Sequence, residues 1–248
     1  MARCPSGARC PRGEATLVVL TLAAAAAVGG AAAVAAHGAL HRNSPVFGRV
    51  IGRLSTADRH IALTFDDGPN PEATPRILDT LREHGVLATF FVLGRHVDRW
   101  PSLARRIVRE GHTLANHGYH HRRLHAHGPA YTRLDLRLGT QAILDATGER
   151  PRHFRAPHGF RNPWVNGVAR ELDQRLVGWT LGVWDTDRPG ADVIATRVRD
   201  GARPGAIILL HDGDAYDAEG DRLQTAEALP LIIGHLRTAG FQFASLCR

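Results

Sequence analysis

The feature that most limits what this chain can fold into is a series of short apolar runs with almost no polar alternation. Residues 61–65 read IALTF, 87–93 read LATFFVL and 206–210 read AIILL. A strand with one face in water alternates apolar and polar residues with a period of two. A run apolar throughout needs both faces covered, as in a parallel sheet flanked by helices. Strands are expected at 60–65, 87–93, 112–115, 153–155, 176–180, 206–210 and 241–244. Helices are expected between them, at 74–84, 101–110, 131–147, 163–172, 192–199 and 225–238. Pro101 opens one of these helices, and Gly111, Gly148 and Gly240 follow the ends of three. Alternating βα units close into a barrel or form an open doubly wound sheet. No G-x-G-x-x-G follows the first run and there is no P-loop, so the nucleotide-binding version lacks its phosphate cradle. The expected fold is an α/β chain forming a distorted (β/α) barrel, incomplete at seven strands, behind an N-terminal hydrophobic segment.

That segment runs uncharged from Ala15 to Ala36, behind Arg3, Arg9 and Arg12. A basic start, a long apolar stretch and the bulk of the chain downstream predict a body outside the cytoplasm. The stretch reads as a single-span membrane anchor, with membrane association through 15–36, or as a signal peptide cut near Val34-Ala35-Ala36. Residues 1–36 are thus an address, 37–59 a tether and 60–248 the folded body. Cys4, Cys10 and Cys247 lie at the two ends, so no pair inside the body staples it and its core must hold it. The formal charge is +7 and all 31 basic residues are arginine. They are dispersed among acids without aromatic interleaving, which argues against nucleic acid as a partner. Nothing in the sequence points to a protein partner.

Chemistry-bearing residues collect where the expected strands end, the place from which βα loops present active sites. The ends carry Asp66-Asp67-Gly68-Pro69, Asn116-His117-Gly118-Tyr119-His120-His121, Arg155-Ala156-Pro157-His158-Gly159, Trp184-Asp185-Thr186-Asp187 and His211-Asp212-Gly213. Each has a bland reading alone. Asp-Gly is ordinary turn chemistry, and His37/His41 and His121/His125 share the four-residue spacing of His117/His121. Five such clusters at five strand ends are together rich in what a hydrolytic metal site needs.

These motifs resemble the polysaccharide deacetylase family, also called the NodB-homology or carbohydrate esterase family 4 domain, across about residues 60–245. T-F-D-D-G-P is matched in full at 64–69. H-[ST]-x-x-H is matched by His117 and His121 with Gly118 at the hydroxyl position. R-x-P-[YF]-G is matched by Arg155, Pro157 and Gly159 with His158 in the aromatic slot. In D-x-x-D-W, Asp185 fits the second Asp, Gly182 stands for the first and Thr186 for the Trp.

The resemblance implies one divalent metal on Asp67, His117 and His121, a set compatible with zinc and also with Co²⁺, Mn²⁺, Ni²⁺ or Fe²⁺. His120 and His125 are alternatives to His121. It further implies Asp66 as general base held by Arg155, His211 as general acid paired with Asp185 or Asp187, and a groove lined by His158, Leu210 and Trp184. The implied activity is removal of N-acetyl groups from N-acetylated glycans, peptidoglycan or chitin-like N-acetylglucosamine. O-acetyl ester hydrolysis on xylan-type polysaccharide, or metal-dependent glycan binding without turnover, are the alternatives.

Overall fold

The computed structural model describes residues 11–55 and 58–246. Arg3, Arg9 and the three cysteines lie outside the described residues. In chain order the strands are β1 His60–Asp66, β2 Thr89–Val92, β3 Thr113–Asn116, β4 His153–Phe154, β5 Arg175–Leu176, β6 Leu181–Gly182, β7 Ile207–His211 and β8 Gln242–Phe243. The helices are α1 Pro11–Leu40, α2 Ala73–Glu83, α3 Gly94–Arg99, α4 Pro101–Arg109, α5 Pro129–Thr147, α6 Val165–Glu171, α7 Ala191–Gly201 and α8 Leu223–Thr238. The strand order is β5-β4-β3-β2-β1-β7-β6, with β8 beside the start of β1. Every described pairing is parallel.

The run expected as one strand at 176–180 divides into β5 and β6, which lie at opposite ends of the sheet order. Only residues 177–180 join them. Five residue steps reach at most roughly 17 Å at ~3.4 Å each, so the sheet must curl until its ends approach. The ladder does not close across that gap, and the result is a distorted half-barrel. Residues 41–55 cover the β5 end: Ile51 pairs with Val177, donating its N–H to the Leu176 carbonyl at 2.9 Å and accepting from Gly178 at 3.0 Å.

Burial explains why the strands are not alternating. Ile61, Leu63 and Phe65 of β1 face outward onto Ile77, Leu78 and Leu81 of α2 and onto Leu229, Ile232 and Ile233 of α8. Ala62, on the other face, packs with Phe91, Ala115 and Ile207 inside the barrel. Thr64 and Asp66 share that inner face, and β7 repeats the pattern with Ile208 and Leu210 outward. Toward the C-terminal ends of these strands the inner face therefore carries polar groups, Thr64 and Asp66 of β1 and His211 of β7. Helix α3, at Gly94–Arg99, was not among the sequence expectations; Pro101, two residues past its end, breaks the 3.6-residue pattern.

Helix α1 projects from the body, which contacts its last turn. Within it Val19–Leu40 is long and apolar enough to cross a membrane, and Val19 to Ala36 are exposed.

Candidate active site

The register of the central strands puts two titratable groups side by side: Asp66 of β1 is the ladder partner of His211 of β7. On the opposite side of β1, Asp66 pairs with Phe91 of β2. Arg155 follows β4 and is fully buried. Its guanidinium lies 4.0 Å from the Phe91 ring centroid and donates from Nη1 to Asp66 Oδ1 at 2.5 Å and to Thr64 Oγ1 at 2.9 Å. Nη2 reaches the Gly178 carbonyl at 2.9 Å. One oxygen of Asp66 is thus held by a charge-assisted bond, and the other, Oδ2, is left toward His117 Nε2 at 3.8 Å.

Asp67 turns away from the strand with φ of 72°. His96 of α3 holds this turn by donating from Nδ1 to the Asp67 carbonyl at 2.8 Å. Asp67 Oδ1 then lies 3.4 Å from His117 Nε2 and 3.3 Å from His121 Nε2. His117 donates from Nδ1 to the Arg155 carbonyl at 2.8 Å, which fixes its tautomer and leaves Nε2 as a lone pair aimed at Asp67. Burial pushes the His121 imidazole down to about 3, against the pull of Asp67 and with the help of His117. Burial alone would raise the Asp67 carboxyl, but the His121 and His117 rings hold it well below the usual carboxylate range. A metal requires its carboxylate ligand ionised and its imidazole ligands uncharged, so binding there would release any proton the rings carry.

His211 stands across from this cluster. Its Nδ1 donates to Asp185 Oδ1 at 2.9 Å and its backbone N–H to Asp185 Oδ2 at 2.8 Å, while Thr225 Oγ1 donates to the same oxygen at 2.9 Å. Burial opposes its positive charge, but Asp185, with Asp67 and Asp66 behind it, outweighs burial and pushes the pKa up to about 9. That is above the ordinary value of 6.5, so His211 contributes stability in full below about pH 6.5 and loses it as pH rises through about 9. Asp185→Asn is expected to return the His211 pKa toward the ordinary value. NMR titration of the metal-free protein checks this, and an unchanged pKa would count against Asp185 as the cause.

The groove above these groups holds about 520 Å³, a volume suited to a small ligand or a sugar unit. His158, Trp184 and Leu209 line it, with Phe160, Trp179 and Tyr216. Trp184 and Tyr216 are 70% and 72% exposed, and so form a rim rather than a core. His158 has φ of 58°, and its ring centroid is 4.6 Å from that of His121.

The site therefore brings together Asp66, Asp67, His117, His121, Arg155, His158, Trp184, Asp185 and His211. Leu210 is a correction: its side chain is in the outer core among the helices, and Leu209 lines the groove instead. One step along a strand reverses the face. Asp185 is buried and bonded to His211, whereas Asp187 is exposed, which separates the two candidates. His120 is paired with Asp135 at 2.8 Å and His125 sits edge-on to Phe160 at 4.9 Å, so neither belongs to the Asp67 cluster. Sequence reasoning missed Trp179, Phe160 and Tyr216. Trp179 lies within an expected strand and Phe160 directly follows a recognised motif, so an aromatic residue there was the available signal; Tyr216 sits in an acidic loop without periodicity.

A family model for polysaccharide deacetylases matches residues 53–177. A chitooligosaccharide deacetylase of Bradyrhizobium sp. (strain ANU 289) is 41% identical over 196 residues, 76% of this chain and 89% of the relative. The chain belongs to the polysaccharide deacetylase family. Among solved structures, the Bc1960 peptidoglycan N-acetylglucosamine deacetylase in complex with 4-naphthalen-1-yl-N-oxidanyl-benzamide superposes with a TM-score of 0.75 at 33% identity, over 79% of this chain and 90% of that one. The wild-type BA3943 protein of Bacillus anthracis, a CE4 family pseudoenzyme, superposes with a TM-score of 0.73 at 30% identity, over 82% and 68%.

In this polysaccharide deacetylase, Asp67, His117 and His121 present one ligand atom each within 4.8 Å of one another, all buried. Asp67 Oδ1 and His121 Nδ1 have no hydrogen-bond partner there. A buried acid oxygen without a donor, facing two imidazole lone pairs, fits a divalent cation.

The glycine at the family's hydroxyl position also has a local cause. Asp135 of α5 accepts from the N–H groups of Tyr119 and His120 at 3.2 and 3.1 Å, tying down the loop between the two histidines. Gly118 has φ of 84°, and a Cβ built on it would fall 2.5 Å from Asp135 Oδ2. Gly118→Ser, which would restore the family's usual residue, is therefore expected to destabilise the fold by about 1–3 kcal/mol and to weaken metal binding. Urea denaturation and metal titration check it; equal stability would show that Asp135 moves aside freely.

Proposed function

We propose that this enzyme hydrolyses the N-acetyl amide of N-acetylglucosamine units in chitin-like oligomers or peptidoglycan strands. The observation that carries this reading is the placement of Asp66 and His211, a base and an acid, on neighbouring strands around the Asp67–His117–His121 cluster. The names of the relatives, a chitooligosaccharide deacetylase and a peptidoglycan N-acetylglucosamine deacetylase, support the same substrate class. Zinc suits one carboxylate and two imidazoles. When bound there, the cation supplies Lewis acidity that lowers the pKa of a water and polarises the acyl oxygen.

The residues of the chain do the rest. Asp66 accepts the proton of the attacking water on Oδ2, because Oδ1 is occupied by Arg155. Oxygen adds to the acetyl carbon and the carbonyl becomes a tetrahedral oxyanion, whose developing charge needs a positive or N–H partner in the site. Nitrogen departs poorly as an amide anion. His211, held protonated by Asp185, donates from Nε2 to that nitrogen as the C–N bond breaks, leaving acetate and a free amine. Trp184 offers its exposed face to the sugar ring.

The decisive experiment is mass spectrometry of chitin oligomers and peptidoglycan fragments after incubation with the metal-loaded enzyme. Stepwise loss of acetyl mass, abolished by a chelator, is the expected result. His211→Ala is expected to slow amide hydrolysis about 10²-fold or more and to spare O-acetyl esters, whose alkoxide leaves with less help. Equal loss on both would remove the acid role from His211. Glycan binding without acetate release across several metals would make the chain a binding module. The reading includes location: α1 is retained as a single span and the catalytic body faces outward from the cytoplasm.

A further inference from the structure

The segment between the apolar helix and the body has no slack. A free tether of the 23 residues 37–59 would let the body wander by roughly 26 Å, taking 5–6 Å times the square root of its length. Instead, the chain is gripped from the last turn of α1 onward. Arg161 donates its backbone N–H to the Ala39 carbonyl at 2.9 Å, and its Nη2 reaches the carbonyls of His41 at 3.1 Å and Ser44 at 2.6 Å. Arg161 is 1% exposed. A buried guanidinium under the C-terminal end of a helix meets the partial negative charge of its last carbonyls. Two residues beyond the helix, Arg42 Nε and Asn43 Nδ2 each donate to the Trp179 carbonyl at 2.9 Å. The Arg42 guanidinium also lies 5.2 Å from the centre of the Trp179 ring.

Trp179 is itself a wall of the catalytic groove. A Cβ built on Gly159, between the groove residues His158 and Phe160, would fall 2.9 Å from Arg42 Cβ. The groove wall thus begins within two residues of the end of a helix that is long and apolar enough to span a bilayer and exposed from Val19 to Ala36.

We infer that α1 is a rigid stalk that fixes the groove at the membrane surface, and that the preferred substrate is an amino-sugar glycan held at that surface by a lipid. This rests on the deacetylase reading and on retention of the span. A stalk without slack holds the groove within reach of glycans attached to lipid and withdraws it from polymer lying further out. The clamp also sets the body's orientation, which a bare anchor would leave free.

The test uses the full chain reconstituted in phosphatidylcholine–phosphatidylglycerol vesicles. Its substrates are chitotetraose coupled to a dioleoyl lipid and the same tetraose free in solution. The expected result is deacetylation of the lipid-held form at least tenfold faster than the free form at equal bulk concentration. Inserting twelve Gly/Ser residues between Ala36 and His37 adds slack while leaving every clamp contact in place. This variant is expected to keep its rate on free tetraose within twofold and to lose most of the preference. In parallel, spin labels at Ala33→Cys of α1 and Val193→Cys of α7, with the natural cysteines changed to serine, are expected to give one narrow distance that the insertion broadens.

A broad distance without the insertion overturns the stalk. Equal rates on the two substrates overturn the substrate assignment. A mature chain beginning at His37 overturns both. No acetate from either tetraose would instead strike at the deacetylase reading beneath them.

Discussion

Asp66→Asn is expected to lower acetate release from N-acetylglucosamine oligomers by about 10³-fold, with metal affinity changed only a fewfold. The amide keeps the shape of the carboxylate and can accept from Arg155 Nη1 through its oxygen, as Asp66 Oδ1 does at 2.5 Å. Its nitrogen then faces the groove as a donor, where a proton acceptor is needed. The metal ligands belong to Asp67, His117 and His121, so the cation should still bind. Stopped assays of acetate with parallel calorimetric metal titration separate the two effects. A variant that kept more than a tenth of the activity would move the base role elsewhere. The same substitution leaves the buried Arg155 facing a neutral partner, so a fall in thermal midpoint should accompany the kinetic loss.

The largest expected effect on stability is at the other end of that pair. Arg155→Ala removes the arginine bonded to the buried Asp66 and strips a donor from Thr64 and from the Gly178 carbonyl. It also opens a cavity between Phe91 and Trp179, whose ring centres lie 4.0 and 5.6 Å from the guanidinium carbon. Breaking a buried ion pair by deleting one partner costs about 3–5 kcal/mol, enough to unfold much of a marginal domain at 25 °C. Arg155→Lys is expected to fall between the two, because an ammonium keeps the charge but lacks the flat fork that stacks on Phe91 and bonds several partners at once. Urea midpoints of the two variants order these contributions. Lys matching Arg would show that charge alone is what the position supplies. The double change Asp66→Asn with Arg155→Met should cost less than the sum of its parts, since each single change leaves the other charge stranded.

The sheet could be read from the sequence because both of its faces are apolar. Runs such as 206–210 have no polar interruption to confuse their type, and their ends are marked by charge. The same property hid the facing of individual side chains. With Leu209 and Leu210 chemically identical, only the ladder partners of β7 decide which one meets the groove. The division between β5 and β6 was not legible because it depends on Asn43 and Ile51, residues more than a hundred positions away that occupy the gap. The candidate catalytic groups were legible because each is tied to a strand end, whereas Tyr216 sits in a loop positioned by tertiary contacts such as that of Arg222 with Asp214 at 2.6 Å. The choice between Asp185 and Asp187 depended on a local helical turn that buries one and exposes the other.

One close approach in the floor of the site bears on how this enzyme can be re-engineered. A Cβ built on Gly213 would fall 2.2 Å from the Asp67 carbonyl oxygen, so the loop after β7 crosses the Asp67 turn with backbone against backbone. No side chain fits there, and a mutant library that samples this crossing would be spent on misfolded members. Variation belongs at position 184, whose side chain borders open solvent, and with more care at 158 and 216, whose rings rest against His121.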